Sequence, residues 1–106
     1  MARAPSPAGG EAVGAVLNKT WKLIRLIGEG GLAAVYEADG THGEGKRAIK
    51  LLHPQFLGQA AIVERFYTEA KACFSLRHPH IASVEAYDYA EDGSPYIVME
   101  LLQGMS

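Results

Sequence analysis

The sequence of 106 residues predicts an α+β domain, a five-stranded antiparallel sheet carrying one main helix. Three observations predict it. Segments rich in β-branched and aromatic residues alternate with turns in the order β-β-β-α-β-β, those turns are short enough for antiparallel pairing, and a single stretch carries helical spacing. A chain of this length holds one domain with one modest core. Hydrophobic residues at 48% and charged residues at 21% exclude a disordered chain. Ten Lys and Arg against twelve Asp and Glu, a net charge of −2, leave no basic excess to bind nucleic acid by counterion release. No apolar run approaches the roughly 18–20 residues of a membrane span. The opening Met1-Ala2-Arg3-Ala4-Pro5 lacks the apolar stretch of a secretory signal, and Cys73 has no second cysteine to pair with, which suits a reducing cytoplasm.

Each element has its own signal. Residues 1–17 hold Pro5, Pro7, Gly9, Gly10 and Gly14 with no usable period, and read as a flexible leader before a domain spanning 18–106. Residues 21–27 form the first strand, which Gly28-Glu29-Gly30-Gly31 breaks; residues 33–38 resume the extended pattern, giving a hairpin with a glycine-rich tip. The run 39–45 is a turn by composition, and residues 47–52 are a third strand ended by His53-Pro54. From 60 to 76, Ile62, Phe66, Ala70, Cys73 and Leu76 define one apolar stripe, and His78-Pro79 stops the helix. Residues 81–89 and 95–101 are the last two strands, joined by the turn Ala90-Glu91-Asp92-Gly93-Ser94.

Three features stand out chemically. Gly28, Gly30 and Gly31 allow backbone amides to approach a ligand closely, which suits phosphate oxygens, although most glycine-rich tips are only turns. A strand rather than a helix follows them, which excludes a dinucleotide fold, and Gly45-Lys46-Arg47 lacks the hydroxyl of a phosphate-loop NTPase. Lys50 shares a strand face with Ala48 and Leu52; alone, it reads as an edge lysine whose ammonium reaches water. Glu69 falls on the helical stripe between Phe66 and Cys73, where a carboxylate is either solvated at the edge or met by a cation. Together, the two misplaced charges explain one another as an ion pair. His78 and His80 need no role beyond the connector, Cys73 reads as a small core residue, Trp21, Phe66 and Phe74 as packing groups, and Glu91-Asp92 as a solvated turn.

In order, Ile27-Gly28-Glu29-Gly30-Gly31-Leu32-Ala33-Ala34-Val35-Tyr36, Ala48-Ile49-Lys50, Arg65-Phe66-Tyr67-Thr68-Glu69-Ala70, His78-Pro79-His80-Ile81 and Tyr96-Ile97-Val98-Met99-Glu100 resemble the amino-terminal lobe of a eukaryotic-like protein serine/threonine kinase of the bacterial type. The resemblance covers about residues 19–104, and five motifs at suitable spacing make it specific. It implies that the loop from Gly28 through Glu29, Gly30, Gly31 and Leu32 to Ala33 covers the phosphates of ATP, with Ala33 replacing the third glycine. It implies that Val35 packs on adenine, that Ile27 and Ala48 line its pocket, and that Met99 is the gatekeeper behind it. Backbone groups of Glu100 and Leu102 would bond the adenine edge, Lys50 the α- and β-phosphates, and Glu69 would hold Lys50.

No His-Arg-Asp or Asp-Phe-Gly motif occurs among these residues, so the catalytic base and the Mg2+ ligands are expected in a carboxyl-terminal lobe that the sequence does not include. The expectation is an ATP-binding piece of a kinase acting on protein substrates, located in the cytoplasm, inactive alone and without membrane or nucleic-acid contact. The alternative is a non-catalytic lobe that regulates or binds another protein through its uncovered face.

Overall fold

The computed structural model describes residues 12–72 and 81–101. Residues 1–11 of the expected leader lie outside it, as do Cys73, Phe74, Leu76, His78-Pro79-His80 and Leu102. The elements are β1 (Val16–Leu17), β2 (Trp21–Glu29), β3 (Ala33–Gly40), β4 (Lys46–Leu52), a 3-10 turn (Pro54–Phe56), α1 (Ala60–Ala72), β5 (Ile81–Tyr89) and β6 (Pro95–Leu101). They form one antiparallel sheet in the order β1-β2-β3-β4-β6-β5. The helical connection carries the chain from β4 to the far edge, and the final hairpin brings β6 back beside β4.

The sheet has six strands rather than five. The additional strand, β1, falls inside the segment read as leader, where its two residues are too few to show a period. It pairs Val16 with Lys22 and Leu17 with Trp21, and Leu17 is buried. Asn18 and Lys19 make the turn at φ 51° and 57°, and the Thr20 N–H donates to the Leu17 carbonyl (2.9 Å). Two successive left-handed residues let this three-residue loop, 18–20, follow the strand twist. At the β5–β6 hairpin the Ala90 N–H donates to the Ser94 carbonyl (2.8 Å), and Gly93 supplies the positive φ of 90°.

Alternation along the strands separates two cores. One face buries Leu23, Tyr36, Ala38, Ile49, Tyr96 and Val98 together with Leu17. The other buries Ala33, Ala48, Leu52, Ile97 and Met99 against Phe66 of α1, with Ile62, Val63 and Tyr67 packed beside them. Strand β2 carries two irregularities, between Leu23 and Arg25 and between Leu26 and Gly28. The second has a direct consequence for the glycine hairpin. Leu26 pairs with Tyr36 and Gly28 with Val35, so one extra residue, Ile27, puts Leu26 and Gly28 on opposite faces.

Candidate functional site

Strand register assembles the site on the α1 side of the sheet. Val35 of β3, Lys50 of β4 and Ile97 of β6 stand in one cross-strand row. Next to it, Ala48 opposes Met99, and on the other side Ala33 opposes Leu52. Ala48, Ile97 and Met99 are buried, while Val35 and Lys50 are half-buried. Towards the open end of this face, Glu37 accepts from Arg25 (2.6 Å) and lies 3.3 Å from Lys46, which also bonds Asp39 at 2.8 Å. Hydrogen bonding to Asp39 and Glu37 holds the Lys46 ammonium above the ordinary lysine range.

The β2–β3 hairpin tip lies beside this row. The Gly30 N–H donates to the Ala33 carbonyl (2.9 Å), which closes the tip around Gly31 and Leu32. A side chain added at Gly28 or Gly31 would meet nothing within 4 Å, and neither glycine adopts the left-handed region. Neither the turn nor the packing of this chain demands glycine there, so the open space belongs to whatever approaches from outside. Ala33, at the position of the third glycine, is 4% exposed and belongs to the core around Leu52 and Phe66, so its methyl packs inward. His53 touches the same tip: its N–H donates to the Leu32 carbonyl (2.8 Å), and its Nε2 lies 2.9 Å from the Gly30 carbonyl oxygen.

Lys50 directs its Nζ over the ring of Phe66, 6.0 Å from the centroid. The expected ion pair between Lys50 and Glu69 is not made. Glu69 accepts instead from Arg65 one turn earlier (2.9 Å), with its side chain 48% exposed. The helical stripe explains the difference. Spacing from Ile62 through Phe66 to Ala70 centres it near Glu69, but Val63 and Tyr67 also pack on the sheet, which turns the buried face away and leaves Glu69 at its flank. Lys50 and Glu69 nevertheless share one side of the sheet, since Phe66, which the ammonium covers, is the helical neighbour of Glu69. Among the described residues no carboxylate pairs with Lys50.

Tyr67 sets the helix on the sheet, a part that sequence reasoning did not single out. Its hydroxyl donates to the Asp88 carbonyl (3.0 Å), and its ring meets Tyr87 and Tyr89 edge-on at 5.6 and 5.9 Å. Burial pushes its phenol pKa up. The available signal was the recurrence of tyrosine at Tyr87 and Tyr89, which share a strand face. The remaining predicted residues fall around the row: Ile27 is half-buried at the β2 irregularity, Leu32 half-buried at the tip, Glu29 exposed, and Glu100 exposed near the end of β6.

An antiparallel sheet with a glycine hairpin beside a strand lysine, and one helix packed at that lysine, is the architecture of the amino-terminal lobe of a protein kinase. The comparisons agree. No family model matches the chain. The serine/threonine-protein kinase PknA of Mycobacterium tuberculosis is 38% identical over 96 residues, which cover 87% of this chain and 22% of that protein. PrkC of Bacillus subtilis is 37% identical over 95 residues, covering 89% of this chain and 14% of that protein. The kinase domain of M. tuberculosis PknI superposes with a TM-score of 0.56 at 26% identity, over 84% of this chain and 35% of that one. The chain is homologous to the bacterial serine/threonine-protein kinases and corresponds to the amino-terminal lobe of their kinase domain. It spans about a fifth or less of the length of these two relatives.

Proposed function

We propose that this lobe binds ATP and, together with a carboxyl-terminal lobe, forms a kinase that transfers the γ-phosphate to serine or threonine of proteins. One observation carries the reading: a half-buried ammonium, Lys50, stands among Val35, Ala48 and Ile97 with no carboxylate paired to it among the described residues, beside a glycine hairpin with open space around it. A cation so placed favours an anion, and backbone amides of the hairpin tip are suited to phosphate oxygens.

In this reading Lys50 holds the α- and β-phosphates, and the loop from Gly28 through Glu29, Gly30, Gly31 and Leu32 to Ala33 lies over the triphosphate. Ile27, Val35 and Ala48 flank adenine, Met99 closes the pocket behind it, and backbone groups of Glu100 and Leu102 bond the purine edge. Glu69 reaches Lys50 only after leaving Arg65, so the Lys–Glu pair needed for phosphoryl transfer forms by a local turn of the helix end or of the two side chains. Mg2+ would neutralise charge developing on the phosphates, and its ligands and the general base lie outside these residues. These 106 residues alone would bind ATP weakly and transfer no phosphate. In this reading the lobe works in the cytoplasm, where ATP is supplied. No described helix is long and apolar enough to cross a membrane.

Titration of the chain with ATP, followed by backbone amide shifts, tests the reading. Shifts at Gly30, Gly31 and Val35 that vanish in Lys50→Met support it; a folded chain with no shift at saturating ATP overturns it. That negative result would favour the non-catalytic reading, whose motive is the pair of exposed tyrosines, Tyr87 and Tyr89, beside α1.

A further inference from the structure

His53 is a buried imidazole that the ATP-binding reading leaves without a task. It is 5% exposed and follows β4 directly. Its main chain is fixed on both sides. The N–H bonds Leu32, the carbonyl accepts from the Phe56 N–H (3.1 Å), and Pro54 confines it to the extended region, observed at φ −63° and ψ 139°. The pleat puts its ring on the side of Leu51, opposite Lys50 and Leu52, and so away from the candidate nucleotide face. Glu29 stands beside the ring, with Oε2 4.0 Å from Nε2.

The hydrogen bond it makes is unusual in its acceptor. In a turn running from Gly30 to Ala33, the Gly30 carbonyl would ordinarily accept from the Ala33 N–H. That bond is not among those the tip makes. The imidazole Nε2 takes the Gly30 carbonyl instead, at 2.9 Å, while the opposite bond, from the Gly30 N–H to the Ala33 carbonyl, is kept. A side chain has replaced one backbone donor, and the replaced donor, the Ala33 N–H, lies at the third-glycine position of the loop.

We propose that His53 is a positioning residue for the nucleotide loop: by occupying the Gly30 carbonyl it holds the tip half-closed and keeps the Ala33 N–H available to a phosphate oxygen of ATP. The inference rests on the ATP-binding reading. It predicts a phosphate-specific effect, because the ring neither lines the adenine pocket nor faces Lys50.

The test compares His53→Leu, which fills the space without a donor, with His53→Gln, whose amide can still donate to Gly30. ATP and adenosine affinities and amide exchange are measured on the full chain. Loss of the ring lets the Gly30 carbonyl turn to the Ala33 N–H. His53→Leu should therefore weaken ATP about fivefold, the effect of one hydrogen bond, and leave adenosine unchanged. It should also slow exchange of the Ala33 amide, while His53→Gln restores both values. A purely structural role would weaken ATP and adenosine together and speed exchange along β3; that result overturns the proposal. Equal ATP affinity in His53→Leu and the unsubstituted chain overturns it too, with the ATP reading intact. An unsubstituted chain that binds ATP no better than adenosine overturns the phosphate reading itself, and this inference with it.

Discussion

The two faces of the sheet solve the same packing problem with different results. On the face of Leu23, Tyr36, Ile49 and Tyr96, the chain covers itself and matches its own polar groups. Asn18 is the clasp: its Nδ2 donates to the Tyr89 carbonyl (2.8 Å) and to the Tyr96 hydroxyl (2.9 Å), and its N–H donates to Glu91 Oε1 (3.0 Å). On the face of Lys50, an ammonium rests over an aromatic ring, its candidate partner Glu69 is engaged elsewhere, and a hairpin amide is released from its turn bond. Where polar accounting closes, the residues hold the fold. Where it stays open, they are set for a ligand.

Substitutions should separate the faces. Tyr96→Ala removes a fully buried ring from the clasped face and should cost about 3–5 kcal/mol. That is comparable to the whole stability of a marginal domain, so Trp21 fluorescence in urea should report an unfolded or nearly unfolded chain. Lys50→Met should do the reverse: ATP affinity falls about 10–100-fold, the weight of charge-assisted bonds, while the urea midpoint holds. A midpoint that drops as far as in Tyr96→Ala would erase the distinction between the faces. Asn18→Ala removes the clasp and leaves alanine at φ 51°, so urea unfolding should show a loss of about 1–3 kcal/mol with ATP binding intact.

Alkali probes the comparison without mutation. Burial is the first cause raising the pKa of both Tyr67 and Tyr96, although the Asn18 bond opposes it at Tyr96. A raised folded pKa favours the protonated phenol in the native state. Its stabilisation is complete below the unfolded value of about 10 and is lost as pH climbs through the folded value. Phenolate absorbance should therefore rise together with unfolding above about pH 10, and Tyr67→Phe should remove part of that dependence. The smallest effect belongs to Arg65→Ala. Breaking an exposed helical pair should change stability by only about 0.3–0.5 kcal/mol, but it frees Glu69, and a closer approach to Lys50 should appear as a shift of the Lys50 Nζ resonance.

Most of the fold was legible because its signals are local. The last two strands begin and end where alternation and the Ala90–Ser94 turn put them, and α1 begins at Ala60 as its stripe implies. β1 was not legible, since two residues carry no period and its only cue was the asparagine of the turn. That Val35 stands across from Lys50, and Ala48 across from Met99 in the neighbouring row, is in keeping with the motifs, because strand pairing turns motif order into cross-strand adjacency. The Glu69 contact did not follow. Which flank of a helix is buried depends on Val63 and Tyr67 meeting other strands, information that spacing within the helix does not contain. The His53 contact was hidden for a similar reason: a ring reaching 23 residues back to a carbonyl leaves no pattern in the sequence.

The clasp also governs when the molecule can finish forming. Asn18 bonds groups 71 and 78 positions further along, so this turn waits for β5 and β6 to emerge. At a synthesis rate of about 5–20 residues per second that delay is several seconds, during which the hydrophobic side chains of the early hairpin have no cover. The slow step of maturation should therefore be the late docking of the amino-terminal turn rather than the formation of the helix.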